Sequence, residues 1–178
     1  MRKFLLALPV VVFAVFAGLA FLGMQREDPE GLPSAIAGQK APKVQLDLLE
    51  GHVPFAQADL TTDGVKLVNF WASWCAPCRA EHPTLMDFAD RGIPVYGVNY
   101  KDNPAKARAF LAELGNPYAL AGADPQAKMA LDWGVYGLPE TFVLSPDGTV
   151  ILRVTGPLTE RNLQTRVLPA LAEAGLAF

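Results

Sequence analysis

Cys75 and Cys78 are the only cysteines in the 178-residue chain, and the Trp-Cys-Ala-Pro-Cys run that holds them is its most reactive-looking stretch. On a helix the two stand at i and i+3, which places both sulfurs on one face of one turn. The six residues 66–71, Lys-Leu-Val-Asn-Phe-Trp, are an apolar run rich in β-branched and aromatic side chains. That pattern reads as a strand buried on both faces, and the residues after it have helical spacing. A strand therefore passes into a helix at Trp74-Cys75, where unpaired backbone N–H groups and the positive end of the helix dipole point. A free thiol of pKa about 8.5 is only about 3% thiolate at pH 7, whereas Cys-x-x-Cys nucleophiles at helix starts reach about 7. The spacing suits thiol–disulfide exchange, with Cys75 attacking and Cys78 resolving the mixed disulfide. Pro77 is tolerated because a first-turn residue has no intrahelical N–H bond to lose.

Two other uses of the pair compete. As a staple it is badly placed, since a loop of about four residues removes only about 2 kcal/mol of unfolded-state entropy. As a metal site it could recruit His82, i+4 from Cys78, to make a copper-binding or delivery module of Cys75, Cys78 and His82. Structural zinc wants a fourth ligand and the chain has no further cysteine. No metal and no cofactor is expected.

The N-terminus carries Arg2 and Lys3, then an unbroken apolar stretch over residues 4–24 interrupted only by Pro9. As a helix this is long enough to cross about 30 Å of hydrocarbon. A cleaved signal peptide with a site at Gly18-Leu19-Ala20 is the alternative, but the apolar run continues past it. The expectation is an uncleaved inner-membrane anchor, 1–24, a single-pass segment whose basic end stays in the cytoplasm and whose following domain is periplasmic. Export makes disulfide chemistry available. Residues 25–40, rich in Gly, Pro and acidic side chains, read as a linker, and 41–178 as one domain with one core. The net charge of −3 and the lack of a basic block argue against nucleic acid as a partner and point to protein.

Within the domain, residues 44–48 and 53–55 suggest a short opening hairpin, with His52 beside its turn. Pro83 falls inside the cysteine helix, where it deletes the bond to the Arg79 carbonyl. A strand over 93–99 and a helix over 104–115 come next. A short strand over 118–120 and a short helix over 125–133 succeed them. Strands over 141–145 and 149–155 flank Pro146-Asp147-Gly148, and a final helix over 159–174 is kinked near Pro169. Crossover helices imply a parallel pair of central strands, the late hairpin adds antiparallel ones, and the class is α/β with a mixed sheet flanked by helices on both faces.

The strand followed by Trp-Cys-x-x-Cys resembles the thioredoxin superfamily over residues 42–175. Asn69-Phe-Trp-Ala-Ser-Trp-Cys-Ala-Pro-Cys-Arg-Ala-Glu-His together with Asn99-Tyr-Lys-Asp, Leu114-Gly-Asn-Pro-Tyr-Ala-Leu and Gly134-Val-Tyr-Gly-Leu-Pro-Glu-Thr-Phe resembles, more narrowly, the thiol:disulfide interchange proteins of cytochrome c maturation, the CcmG/DsbE family. The resemblance implies a thioredoxin-like fold in which Pro139 is cis and lies against the cysteine pair, and the Leu138 backbone pairs with an extended substrate. It also implies that Glu81 and Glu140 lie near the active site, where a carboxylate raises a thiol pKa or shuttles its proton. Asn69 stands where thioredoxin has a buried aspartate, so Glu81 is the candidate substitute. Cys75, Cys78 and Glu81 are the expected catalytic set, and Trp74, Leu138, Pro139 and Glu140 the expected substrate contacts. Arg79 reads as a solvated helix residue, and Trp71 as packing.

The implied activity is reduction of disulfides in apocytochrome c, or in a thiol protein of its maturation, with a membrane thiol carrier as electron donor. A general exported thiol–disulfide reductase or oxidase of the same fold is the nearest alternative.

Overall fold

The computed structural model describes residues 2–24 and 36–175. The chain falls into two units, residues 1–33 and 34–178. In the first, Arg2–Met24 is one helix, α1, 23 residues long. The side chains described on it, residues 9–23, are all exposed and almost all apolar. Among the described residues no helix is long and apolar enough to cross a membrane. Most of the expected linker lies outside the described residues. Its last part belongs to the second unit. Gly38 N donates to Val150 O, Lys40 bridges to Thr149, and Ile36 packs against a core cluster, so the folded domain begins before residue 41.

The domain is built on a six-stranded sheet. Its strands are β1 (Asp47–Leu48), β2 (Lys66–Trp71), β3 (Val95–Tyr100), β4 (Leu120–Asp124), β5 (Glu140–Leu144) and β6 (Val150–Thr155). They lie in the order β1-β4-β3-β2-β5-β6, with β2, β3 and β4 parallel and the rest antiparallel, which is the mixed sheet expected. Every residue of β2 is buried, and successive side chains point to opposite faces. Leu67 and Trp71 join the core on one face with α2 (Ala76–Asp90), α3 (Pro104–Leu114) and the C-terminal helix. Val68 and Phe70 join the other, with α4 (Lys128–Asp132) and Trp133. Asn69 is on the first face and is the polar interruption in an otherwise apolar strand.

Several elements differ from the sequence reading, the first because a distant segment prevailed and the others because of side chains close by in the chain. The opening hairpin does not form: Asp47 and Leu48 pair with Ala123 and Gly122 of β4, and Ala121 N donates to Val53 O. A Cβ at Gly122 would meet Leu46 at 2.8 Å and Pro54 at 3.1 Å, so both opening segments press onto the same glycine. The strand expected at 118–120 runs instead from Leu120 to Asp124, since Tyr118 N is held by Asn116 Oδ1 in a turn at 3.0 Å. The helix expected at 125–133 is trimmed to α4, whose N-terminal amides at Lys128 and Ala130 are taken by the Asp124 carboxylate, each at 2.8 Å. The C-terminal helix runs in three consecutive parts, α5 (Glu160–Asn162), a π-turn (Leu163–Val167) and α6 (Leu168–Glu173). The π-turn lies just ahead of Pro169, where a missing N–H frees the preceding carbonyls to re-pair.

The face of β2 that carries Asn69 depends on a glycine across the sheet. Asn69 registers with Gly97 on β3 and with Thr141 on β5. A Cβ at Gly97 would lie 2.8 Å from the Tyr118 ring. Gly97→Ala should therefore push the ring off the sheet and cost about 1–3 kcal/mol, as overpacked cores do. Urea unfolding midpoints measure this, and a midpoint equal to the native one would mean the ring moves without penalty.

Candidate active site

Strand β2 ends at Trp71, the chain turns over Ala72–Trp74, and α2 starts at Ala76 with Cys75 as its N-cap. Cys75 and Cys78 are joined as a disulfide, their Cα atoms 5.3 Å apart. The Cys78 N–H donates to Cys75 Sγ at 3.1 Å. An N-cap acceptor of this kind is the atom the first-turn amides converge on, and a thiolate there gains both the hydrogen bond and the helix dipole. Cys75 Sγ is therefore the sulfur whose anion the backbone stabilises. The two cysteines differ little in access, since Cys75 is 4% exposed and Cys78 2%.

Asn69, Glu81, Tyr118 and Thr141 come together under the cysteine helix. Asn69 Nδ2 donates to Glu81 Oε1 at 2.8 Å and to Thr141 Oγ1 at 3.0 Å, and its Oδ1 accepts from the Tyr118 hydroxyl at 2.9 Å. Glu81 Oε2 accepts from the Leu158 N–H at 2.8 Å. Glu81 is 2% exposed, so it is not the solvated helix residue its charge alone would suggest. Burial pushes its carboxyl up to about 7, opposed by the hydrogen bonds from Leu158 and Asn69. Burial, with a smaller push from the Glu81 charge, also holds the Tyr118 hydroxyl well above its ordinary value. A carboxyl poised near neutrality one turn along α2 from Cys78 is suited to taking up or returning a proton.

The Gly134–Glu140 stretch faces the same end of the sheet. The Leu138–Pro139 bond is cis, as the resemblance implied. Pro139 is buried, and half-buried Leu138 packs against the cluster that contains Cys75 and Cys78. Glu140 is placed differently from the surface contact expected of it. It is 1% exposed, its Oε2 paired with Arg153 at 2.7 Å and its Oε1 accepting from the Tyr136 and Gly137 amides at 3.0 and 3.2 Å. It lies beneath the loop and holds it, so any substrate contact comes from the loop above. Trp74, 59% exposed, remains available to a partner, its indole N–H donating to Lys101 O at 3.2 Å. Trp71 is core, stacked on Tyr118 with centroids 5.4 Å apart.

Two further residues escaped the sequence reading as site elements. Asp102 takes the Ser73 N–H at 2.6 Å and its hydroxyl at 2.7 Å, clasping the turn that delivers Cys75. Arg153 holds the loop through Glu140. Neither has a local pattern, although Asp102 closes the Asn99-Tyr-Lys-Asp run that carries part of the resemblance. Arg79 is exposed, paired with Glu113 at 2.7 Å, its guanidinium carbon 5.0 Å from the centre of the Phe110 ring. His82 is buried with its Nε2 3.0 Å from Gly115 O and its ring edge-on to Phe110. Burial lowers its pKa. Among the described residues no group of three or more His, Cys, Asp or Glu could hold a metal ion.

Residues 36–167 match the Redoxin family. The thiol:disulfide interchange protein HelX of Rhodobacter capsulatus is 51% identical over 97% of this chain and 98% of its own length. DsbE of Escherichia coli K12, also a thiol:disulfide interchange protein, is 40% identical over 95% of this chain and 94% of its own. Among solved structures, a thiol:disulfide interchange protein of the thioredoxin family from Chlorobium tepidum covers 82% of this chain and 98% of its own, at 25% identity and a TM-score of 0.59. A secreted thiol-disulfide isomerase from Corynebacterium glutamicum has the same fold, with a TM-score of 0.64 at 23% identity over 83% of this chain and 97% of its own.

The raised Glu81 carboxyl fixes the sign of a pH effect. Its ordinary value is 4.5 and its folded value about 7, so folding takes up a proton between the two. That contribution to stability is full below the unfolded value and is lost as pH rises through the folded one. Urea midpoints should therefore fall between about pH 5 and about pH 8, and Glu81→Gln should flatten the fall by on the order of 1–3 kcal/mol. Parallel profiles for the two proteins would mean that Glu81 does not titrate in this range.

Proposed function

This chain belongs to the Redoxin family as a thiol:disulfide oxidoreductase, and from that premise we propose that it works as the membrane-anchored reductant of cytochrome c maturation. Attaching haem to an apocytochrome needs both thiols of its Cys-x-x-Cys-His site free, and an oxidising periplasm closes them. Cys75 thiolate attacks one sulfur of that disulfide, or of one on a maturation protein, and the displaced substrate sulfur leaves as a thiolate. Cys78 gives up its proton, with Glu81 as the nearby acceptor, and attacks Cys75 Sγ. The second substrate thiol is released, two electrons have passed to the substrate, and the pair is left as the disulfide. A membrane thiol carrier then restores the dithiol.

The observation that carries this reading is the Cys78 N–H bound to Cys75 Sγ at the start of α2, which makes Cys75 the better anion. The relatives support the rest, because the HelX alignment takes in nearly the whole chain rather than the redox domain alone. The apolar sequence over residues 4–24 suits an anchor, and tethering both partners to one membrane raises their effective concentration.

Cys78→Ser should accumulate mixed disulfides on Cys75, whereas Cys75→Ser should accumulate far fewer. Non-reducing gels of whole cells followed by identification of the trapped chains measure this. Apocytochrome c or a Cys-x-x-Cys maturation protein among the trapped chains supports the reading. A broad set of exported proteins would reassign the chain to general thiol exchange, and equal trapping by the two variants would reverse the cysteine roles.

Anchoring has its own test. The mature chain should keep its N-terminus and resist extraction by alkaline carbonate. Recovery of a soluble form that begins near residue 21 would establish cleavage instead.

A further inference from the structure

Arg153, on β6, is a buried cation that the cysteine chemistry does not use. Its Nε and Nη2 both lie 2.7 Å from Glu140 Oε2, and Nη2 also donates to Gly134 O at 2.7 Å. Its guanidinium carbon stands 4.9 Å from the centre of the Tyr136 ring and 5.6 Å from that of Phe142. Glu140 Oε1 in turn takes the Tyr136 and Gly137 amides. One ion pair thus grips the loop at Gly134, Tyr136 and Gly137, the residues that lead into Leu138-Pro139.

A buried ion pair is a poor device for stability alone, because desolvating two charges offsets most of their attraction and apolar residues of similar volume often do better. What this pair does secure is backbone position. The loop it grips ends at Leu138, which packs against the cluster holding Cys75 and Cys78. The loop also carries Tyr136, 54% exposed beneath the guanidinium.

We propose that Arg153 is a positioning residue for polypeptide substrates: through Glu140, Gly134 and Tyr136 it fixes the loop backbone on which an extended chain carrying the disulfide docks. This rests on the reading of Cys75 and Cys78 as a reductant of protein disulfides. A polypeptide disulfide uses the loop and the cysteines, whereas glutathione disulfide offers little chain for the loop to hold. In both reactions the Cys75–Cys78 dithiol gives two electrons and two protons to the substrate disulfide and becomes the disulfide itself.

Lysine is the discriminating substitution. It keeps the charge beside Glu140, yet a single ammonium cannot reproduce the planar fork that spans Glu140 and the Gly134 carbonyl while standing over Tyr136. The test uses the reduced full-length chain in detergent, with an oxidised Cys-x-x-Cys peptide and with glutathione disulfide. Arg153→Lys should raise KM for the peptide about tenfold, with kcat within about twofold, since a small misplacement of a docking backbone is costly. Its rate with glutathione disulfide, and its redox equilibrium with glutathione, should stay native. The double variant Arg153→Met/Glu140→Gln leaves no lone buried charge and should give the same peptide-specific rise. Equal losses with both substrates, or a native peptide KM in both variants, would overturn the assignment. A native chain with no preference for the peptide would overturn the reductant reading and this assignment together, and that result is visible before any variant is made.

Discussion

The side-chain amide of Asn69 is the constraint around which the redox end of the domain is arranged. It sits in the central strand with both neighbouring strands hydrogen-bonded to its own, so no water reaches it and its polar atoms must be satisfied by protein. Leaving a buried donor or acceptor unmade costs about 1–3 kcal/mol. Three partners meet the demand, and each needs something further. Tyr118 reaches Oδ1 only because Gly97 lets its ring lie on the sheet; Thr141 is in register on β5; Glu81 must be buried to meet Nδ2. Satisfying one amide therefore fixes β3, β5, the segment before β4 and the second turn of α2. The carboxyl drawn in to do so is the one left poised near neutral pH.

Two buried carboxylates flank the cysteine pair in the fold, and their partners separate their uses. Glu140 faces a guanidinium and two loop amides. It is a structural anion whose oxygens are committed to holding the loop. Among the described residues Glu81 accepts from neutral dipoles, the Asn69 amide and the Leu158 N–H, and these do not offset its desolvation. A buried carboxyl whose partners are neutral can lose and regain a proton at modest cost. The resemblance placed both near the thiols, and only the environment distinguishes a proton acceptor from a clamp.

Much of this is legible in the residues alone. Residues 66–71 declare a doubly buried strand by apolar composition, the Cys75–Cys78 spacing declares a helix start, and Pro104 with Gly115 brackets α3. Each signal is local, a matter of a few neighbouring side chains. The features that escape depend on partners far along the chain. Residues 44–55 look like a hairpin in isolation, but their apolar side chains find Gly122, and β4, with its Ala and Gly residues, has little strand propensity of its own. Glu81 and Glu140 read as surface charges from composition because a carboxylate carries no mark of being buried. Their burial depends on Asn69, Leu158 and Arg153, which lie 12, 77 and 13 residues away.

The disulfide end of α2 combines two opposed influences on the thiols. The Cys78 amide and the helix start favour an anion on Cys75. The charged form of Glu81, one turn beyond Cys78 on the same helix, opposes an anion on the resolving sulfur, and its neutral form does not. Thiol–disulfide exchange benefits from this asymmetry. The geometry supports an anion at Cys75 Sγ, and Glu81 stands one turn beyond Cys78. Because the carboxyl sits near 7, the acceptor is available at neutral pH without being so basic that it would hold the proton afterwards. Where the resemblance to thioredoxin implies a buried acid on the strand, this chain has Asn69, and its buried carboxyl stands on the helix that carries the thiols.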